Sequence, residues 1–447
     1  MASSSYFRSC RVDRRKPDLM FHPITSTQDI HSKQRSSTPD RLLLASSILF
    51  QILLALFFGH AYDMRIFMST GYLVGTGQNP YIAQNLSAVF HNPTFQGITT
   101  IGYPPPWALV LGLIYLFTYQ VIPNFLFYNL ALKLPIIAGN ICLAYCVVYI
   151  LKQSGAPEKI TRRAWIFLLF NPFFLITTSA WGQFDSIVAL VSLLSLFLLY
   201  EGRQIRSAIL LALAISLKPI ALPLIPLVLV YQAGGSLQRT LRYLVVLTIS
   251  MFLFCVGPFV LFRWDPSPIL QHWNAHFTVG GGLSFMTFLE YTKWSYLIPG
   301  QWWFVGWLWV PALGLATYAL KPGIKGLKDL LKKSVALILV FYLCRAWTSE
   351  TNINLILPLV LILTSINELD RLSLVAVWVL PLLFSFFNTS ITQLFFPSLP
   401  GLMDKLLSMD VELQTLRYAI RTMIVVLWFV AGWRIVLRCF KREPAQA

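Results

Sequence analysis

Charge is scarce in this 447-residue chain: Asp, Glu, Lys and Arg make up 12% of it, where soluble proteins carry about 25%. With 56% of positions apolar and a mean hydropathy of +0.65, that shortage excludes a soluble enzyme, a disordered protein and a nucleic-acid binder, despite the net charge of +17. Cysteine is sparse as well, and its six copies sit in apolar runs or toward the two ends, so no disulfide framework is expected. No early apolar core follows a short charged start, and a cleaved secretory signal is therefore not expected. Repeats with a period of 20–50 residues and Gly-rich phosphate loops are also missing.

What is present is a multi-pass membrane protein. Proline and glycine are plentiful, 26 and 24, and many interrupt apolar runs, which transmembrane helices tolerate when packed around a polar cavity. The expected fold class is all-α, a polytopic bundle of about 12–14 transmembrane helices. Residues 1–41, Ser-rich and basic, read as a cytoplasmic disordered tail. Residues 42–367 read as a catalytic transmembrane module that includes an outer loop, 61–104. Residues 368–447 read as further helices with a short cytoplasmic tail. Of the 35 Lys and Arg, 26 fall in 1–41, 152–163, 201–206, 232–242, 321–333, 368–371 and 434–442, which marks that side as cytoplasmic. This sidedness requires helix breaks at Lys133-Leu134-Pro135 and at Lys218-Pro219, because proline cannot continue the helical hydrogen-bond ladder.

The chemistry is expected on the other side. Asp63 is the one carboxylate in 61–104, placed just past the first span with Arg65 two residues on. Partly desolvated, it would serve as a general base; it could equally be solvated, or paired with Arg65. Further polar clusters interrupt apolar sequence at the same level: Trp181-Gly182-Gln183-Phe184-Asp185, the lysines Lys133 and Lys218, and the stretch from Arg345 through Glu350 to Asn352. An ionisable group at membrane depth costs a few kcal/mol or more, so such groups pair, line a cavity or react. Ion pairing or snorkelling accounts for any one of them alone. Asn85-Leu86-Ser87 and Asn388-Thr389-Ser390 read as outer glycosylation sequons, meaningful in a eukaryote.

An Asp just past span one, the segments Gly77-Gln78-Asn79-Pro80-Tyr81 and Tyr103-Pro104-Pro105, Asn171-Pro172 before the Trp-Gly-Gln-Phe-Asp turn, Ser216-Leu217-Lys218-Pro219 and Glu350-Thr351-Asn352 follow one another in order. In that order the chain resembles the GT-C superfamily of membrane glycosyltransferases, nearest the polyprenyl-phosphate-mannose-dependent mannosyltransferases. The resemblance implies transfer of a hexose from a polyprenyl-phosphate donor in the bilayer to a glycolipid or glycan acceptor. Asp63 would be the catalytic base. Lys218, Arg345 and Lys133 would hold the donor phosphate. Arg65, Tyr103, Trp181, Gln183, Asp185, Glu350 and Asn352 would line the substrate site. Where related sequences often carry an Asp a few residues after the Lys-Leu-Pro segment, this chain has Asn140. No cofactor is expected; Asp63 and Asp185 could ligate a divalent metal, but nothing in the sequence demands one. Two other functions stay open: a transporter or flippase, for which paired repeats would speak, and an oligosaccharide polymerase or ligase, which should show an Arg-rich outer loop where 263–301 has only Arg263 and Lys293.

Overall fold

The computed structural model describes residues 38–291, 297–320 and 323–441; most of the amino-terminal tail, and Lys293, lie outside them. In chain order the helices are α1 (Thr38–Phe57), α2 (Ala61–Gly75), α3 (Pro105–Phe117), α4 (Phe125–Gln153), α5 (Glu158–Phe170), α6 (Pro172–Leu175) and α7 (Asp185–Tyr200). Next come α8 (Gln204–Leu217), α9 (Leu224–Ala233), α10 (Leu237–Cys255), α11 (Gly257–Phe262) and α12 (Ser267–His276). The last are α13 (Trp309–Tyr318), α14 (Gly326–Cys344), α15 (Leu357–Ser365), α16 (Arg371–Phe387), α17 (Pro400–Glu412) and α18 (Gln414–Phe440). The only strands among the described residues are two-residue pieces, β1 (Gly281–Gly282) and β2 (Trp347–Thr348), paired in parallel. The all-α polytopic class expected from composition is what the chain adopts.

Buried polar side chains fix how the helices run. Asn129 donates to the carbonyls of Ala55 and Phe58, and Asn140 donates to Gln51 Oε1, so α4 descends antiparallel to α1. Ser47 donates to Leu169 O and Ser179 to Gln51 Oε1, so the segment from α5 onward climbs back alongside α1. The loop 154–157 and the basic residues around it therefore lie at one end of the bundle, and residues 58–60, 181–185 and 218 at the other.

One break expected from the sequence is absent. α4 runs unbroken through Pro135, so residues 124–134 and 136–151 are one helix. At 1.5 Å per residue its 29 residues span roughly 43 Å, enough to cross a bilayer. The missing proline N–H costs one ladder bond, which packing on neighbouring helices can absorb. The unbroken α4 overturns the first of the two breaks on which the expected sidedness rests. α3 packs along α2. The break at Lys218-Pro219 is present: α8 stops at Leu217 and Lys218 is extended (φ −154°, ψ 123°), as a residue before proline prefers.

Candidate active site

The site is assembled where α1 hands over to α2. His60 is extended and caps α2, its Nδ1 accepting the Asp63 backbone N–H at 3.4 Å. This cap sets Asp63 in the first helical turn, where the helix dipole favours a negative charge. The facing wall is the turn 181–184. Between α6 and that turn the chain widens into a π-helical stretch, Ile176–Ala180, and Gly182 then takes φ +101°. Any side chain there is strained: a Cβ on Gly182 would lie 2.5 Å from Met64 Sδ and 3.1 Å from Lys133 Cε.

That turn delivers Trp181 onto Asp63. The indole Nε1–H donates to Asp63 Oδ2 at 2.5 Å, across 118 residues of sequence. The indole ring also stacks on His60, centroids 4.3 Å apart and planes 9° from parallel, while the His60 backbone N–H donates to Trp181 O. The Asp63 side chain keeps 19% of its surface exposed, so one face of the carboxylate remains open while the other is held. His60 Nδ1 also stands 3.3 Å from Asp63 Oδ2. One nitrogen cannot serve both contacts at once: unprotonated it caps α2, protonated it bridges to the carboxylate. Burial holds the His60 pKa below its ordinary value, which keeps the ring neutral near pH 7, with Asp63 pulling the other way.

Behind Asp63 lies a buried ion pair. Lys218 Nζ donates to both Asp185 oxygens, at 2.9 and 2.8 Å, and to Gln183 Oε1 at 3.3 Å. It also sits 5.2 Å from the centre of the Tyr103 ring. An ammonium has three N–H bonds, and these partners take all three. Asp63 acts electrostatically on Tyr103, Lys218 and Asp185, so all four share one neighbourhood. Burial pushes the Tyr103 phenol up to about 12, leaving a neutral hydroxyl.

Arg345 completes the ring of groups. It follows α14, its guanidinium lies 5.4 Å from the Phe341 ring, and Tyr103 is within its electrostatic reach. Its position is fixed through the backbone: Ser284 Oγ donates to Arg345 O, and the next residues pair with β1. Unlike Lys218, its guanidinium has no ion pair and no side-chain hydrogen bond among the described residues.

The remaining expected residues sort differently. Lys133, expected at the donor phosphate, is wholly buried and donates to the carbonyls of Ala55, Phe58 and Ala180. It ties together the chain ends where α1 and the π-helical stretch finish, and no N–H is left for a ligand. Arg65 does not pair with Asp63; it donates to Ala61 O and Thr94 O, pinning the outer loop to α2. Asn140 joins a neutral network with Gln51, Thr178 and Ser179, where a carboxylate could not supply its two donated bonds to Gln51 and Thr178. Asn352 is buried and its backbone carbonyl takes the Tyr342 hydroxyl. Glu350 is also buried and accepts from Ser390 Oγ (2.6 Å) and Asn388 Nδ2 (3.2 Å). The Asn388 amide is thus engaged by Glu350 and not presented as a free glycosylation acceptor, whereas Asn85 is exposed. Sequence reasoning missed His60, and it read Asn388 and Ser390 only as a glycosylation sequon. His60 carried a signal, standing three residues before the Asp as helix caps do; the contact of the other two with Glu350, 38 and 40 residues away, carried none. Among the described residues no three His, Cys, Asp or Glu side chains gather to hold a metal.

Comparison with known proteins bears on the fold and the family likeness. The family described as alpha-(1->6)-mannopyranosyltransferase, N-terminal domain, matches residues 61–234, the stretch holding Asp63, Trp181 and Lys218. Among solved structures, ArnT from Cupriavidus metallidurans bound to undecaprenyl phosphate superposes with a TM-score of 0.50 at 14% identity, covering 90% of this chain and 78% of that one. The chain resembles the GT-C mannosyltransferases. The fold is of that type, and the two matches together support a membrane glycosyltransferase. No curated protein matches the sequence significantly.

Proposed function

We propose that the chain transfers a hexose, mannose by the family likeness, from a polyprenyl-phosphate donor to a hydroxyl of a glycolipid or glycan acceptor on the non-cytoplasmic side. One observation carries the reading: Asp63, held on one face by Trp181 and open on the other, shares an end of the bundle with the unpaired guanidinium of Arg345. Asp63 takes the acceptor proton as the hydroxyl oxygen attacks the anomeric carbon. The bond from that carbon to the phosphate oxygen breaks, and the polyprenyl phosphate leaves as an anion that Arg345 grips with two N–H bonds. A single displacement of this kind inverts the anomeric centre, by analogy with inverting sugar chemistry. The Lys218–Asp185 pair shapes the floor of the site and is nearly neutral as a unit, so phosphate binding falls to Arg345 and not to Lys218. The reaction needs no cofactor, since the leaving group is already in place. The likeness to a protein seen bound to undecaprenyl phosphate supports the donor class.

Membranes carrying the full chain, supplied with synthetic polyprenyl-phosphate mannose and extracted glycolipids, should form a mannosylated product of inverted anomeric configuration. Asp63→Asn should abolish transfer while keeping donor binding; wild-type turnover by that variant rules the mechanism out. Arg345→Ala should weaken donor binding or slow phosphate departure.

A further inference from the structure

At the end of the bundle away from Asp63 lies an open cavity of about 520 Å³, lined by Gly202, Arg203, Gln204, Ile205, Arg206 and Arg242. Three of these six residues are arginines, from three positions: Arg203 precedes α8, Arg206 is in its first turn, and Arg242 projects from α10 packed alongside. None of the three has an ion pair or side-chain hydrogen bond among the described residues. Glu201, the nearest acid in sequence, is exposed and does not line the cavity. Three like charges facing one cavity repel unless an anion sits between them. The positive end of the α8 dipole, which no side chain caps, adds to the same field.

The exposed surface of α10 outside the cavity says what carries the anion. α10 presents a ladder of exposed apolar residues that starts beside Arg242 and runs along the helix: Leu241, Val245, Ile249 and Leu253, each more than half exposed. A free phosphate gains nothing from such a surface; an acyl chain does. We propose that the cavity is a binding site for the phosphoryl headgroup of an anionic phospholipid, whose tails lie along α10. Arginine suits the role because its planar fork takes two phosphate oxygens at once. The site is separate from the proposed sugar-transfer chemistry and does not depend on it.

The test uses the full-length protein in nanodiscs of phosphatidylcholine alone or with phosphatidylglycerol. Phosphatidylglycerol should raise the Tm of the wild type and co-purify with it after detergent exchange. Arg203→Gln/Arg206→Gln/Arg242→Gln should lose that rise and bind the lipid on the order of a hundredfold more weakly. Lys159→Gln/Arg163→Gln, exposed residues at the same end but outside the cavity, should keep both. The Tm in phosphatidylcholine alone shows whether the triple variant folds, and Arg242→Gln by itself should give a partial loss should the triple variant fail. Equal loss in the Lys159/Arg163 variant would reduce the effect to general surface charge and overturn the site. A Tm rise of the same size from inorganic phosphate in phosphatidylcholine nanodiscs would overturn the lipid as its source, and no response to either would overturn the proposal entirely.

Discussion

Trp181→Phe isolates the part of the site that the structure adds to the sequence. The phenyl ring keeps the stack on His60 but removes the one indole N–H that holds Asp63 Oδ2. A hydrogen bond to a charged group is worth about 1.5–3 kcal/mol where water is excluded. Trp181 is 5% exposed, but the Asp63 side chain is 19% exposed, so water replaces part of the bond. That discount brings the loss to about 1–2 kcal/mol, with water re-solvating the open face. Under the proposed mechanism the bond orients the base and does not touch the donor, so the loss should fall on kcat: about five- to thirtyfold at about 1.4 kcal/mol per decade. The donor KM should stay within about twofold. Initial rates against donor concentration, with Tm measured on the same preparations, separate the outcomes. A kcat within about twofold of wild type refutes the orienting role, and a matching collapse of Tm makes Trp181 a packing residue instead.

Lys218→Met should destabilise the protein by about 3–5 kcal/mol, since it leaves Asp185 buried without its cation, and Lys218→Met/Asp185→Leu should recover most of the lost Tm; a stable single variant would show that the pair is not formed. Lys133→Met, which frees the carbonyls of Ala55, Phe58 and Ala180, should lower Tm comparably without altering donor KM in whatever protein folds; a selective KM defect would return Lys133 to the phosphate. Gly182→Ala should cost about 1–3 kcal/mol from its φ of +101° and the contact with Met64, read as Tm. For His60, burial places the folded pKa below 6.5, so unfolding takes up a proton as the pH drops past 6.5, and stability falls from there toward the lower folded value. His60→Asn keeps a capping oxygen and cannot titrate; its Tm should change less than that of wild type between about pH 7.5 and 5.5, and identical slopes would exclude His60 as the titrating group.

Much of this molecule was legible in its residues. The scarcity of charge and the excess of apolar residues require a bilayer, whatever the chain's detailed path. Lys and Arg cluster toward one end, and the isolated Asp63 at the other stood out because no other carboxylate shares its loop. The error at Pro135 came from treating proline as a helix terminator, as it is in water. Inside a bundle, neighbouring helices compensate for the lost ladder bond, and the price of unravelling a helix in lipid is higher still.

The roles of the cations were decided only by the tertiary structure. Lys133, Lys218 and Arg345 look equivalent along the chain, each a base interrupting apolar sequence. Folding gives the first to three carbonyls and the second to Asp185, and leaves the third without an ion pair among the described residues. Transfer from water to lipid is a property of each residue and adds along the sequence, so composition fixes it. A hydrogen bond depends on the distance and angle between atoms brought together across many residues, as Trp181 and Asp63 are across 118, and no local pattern encodes that.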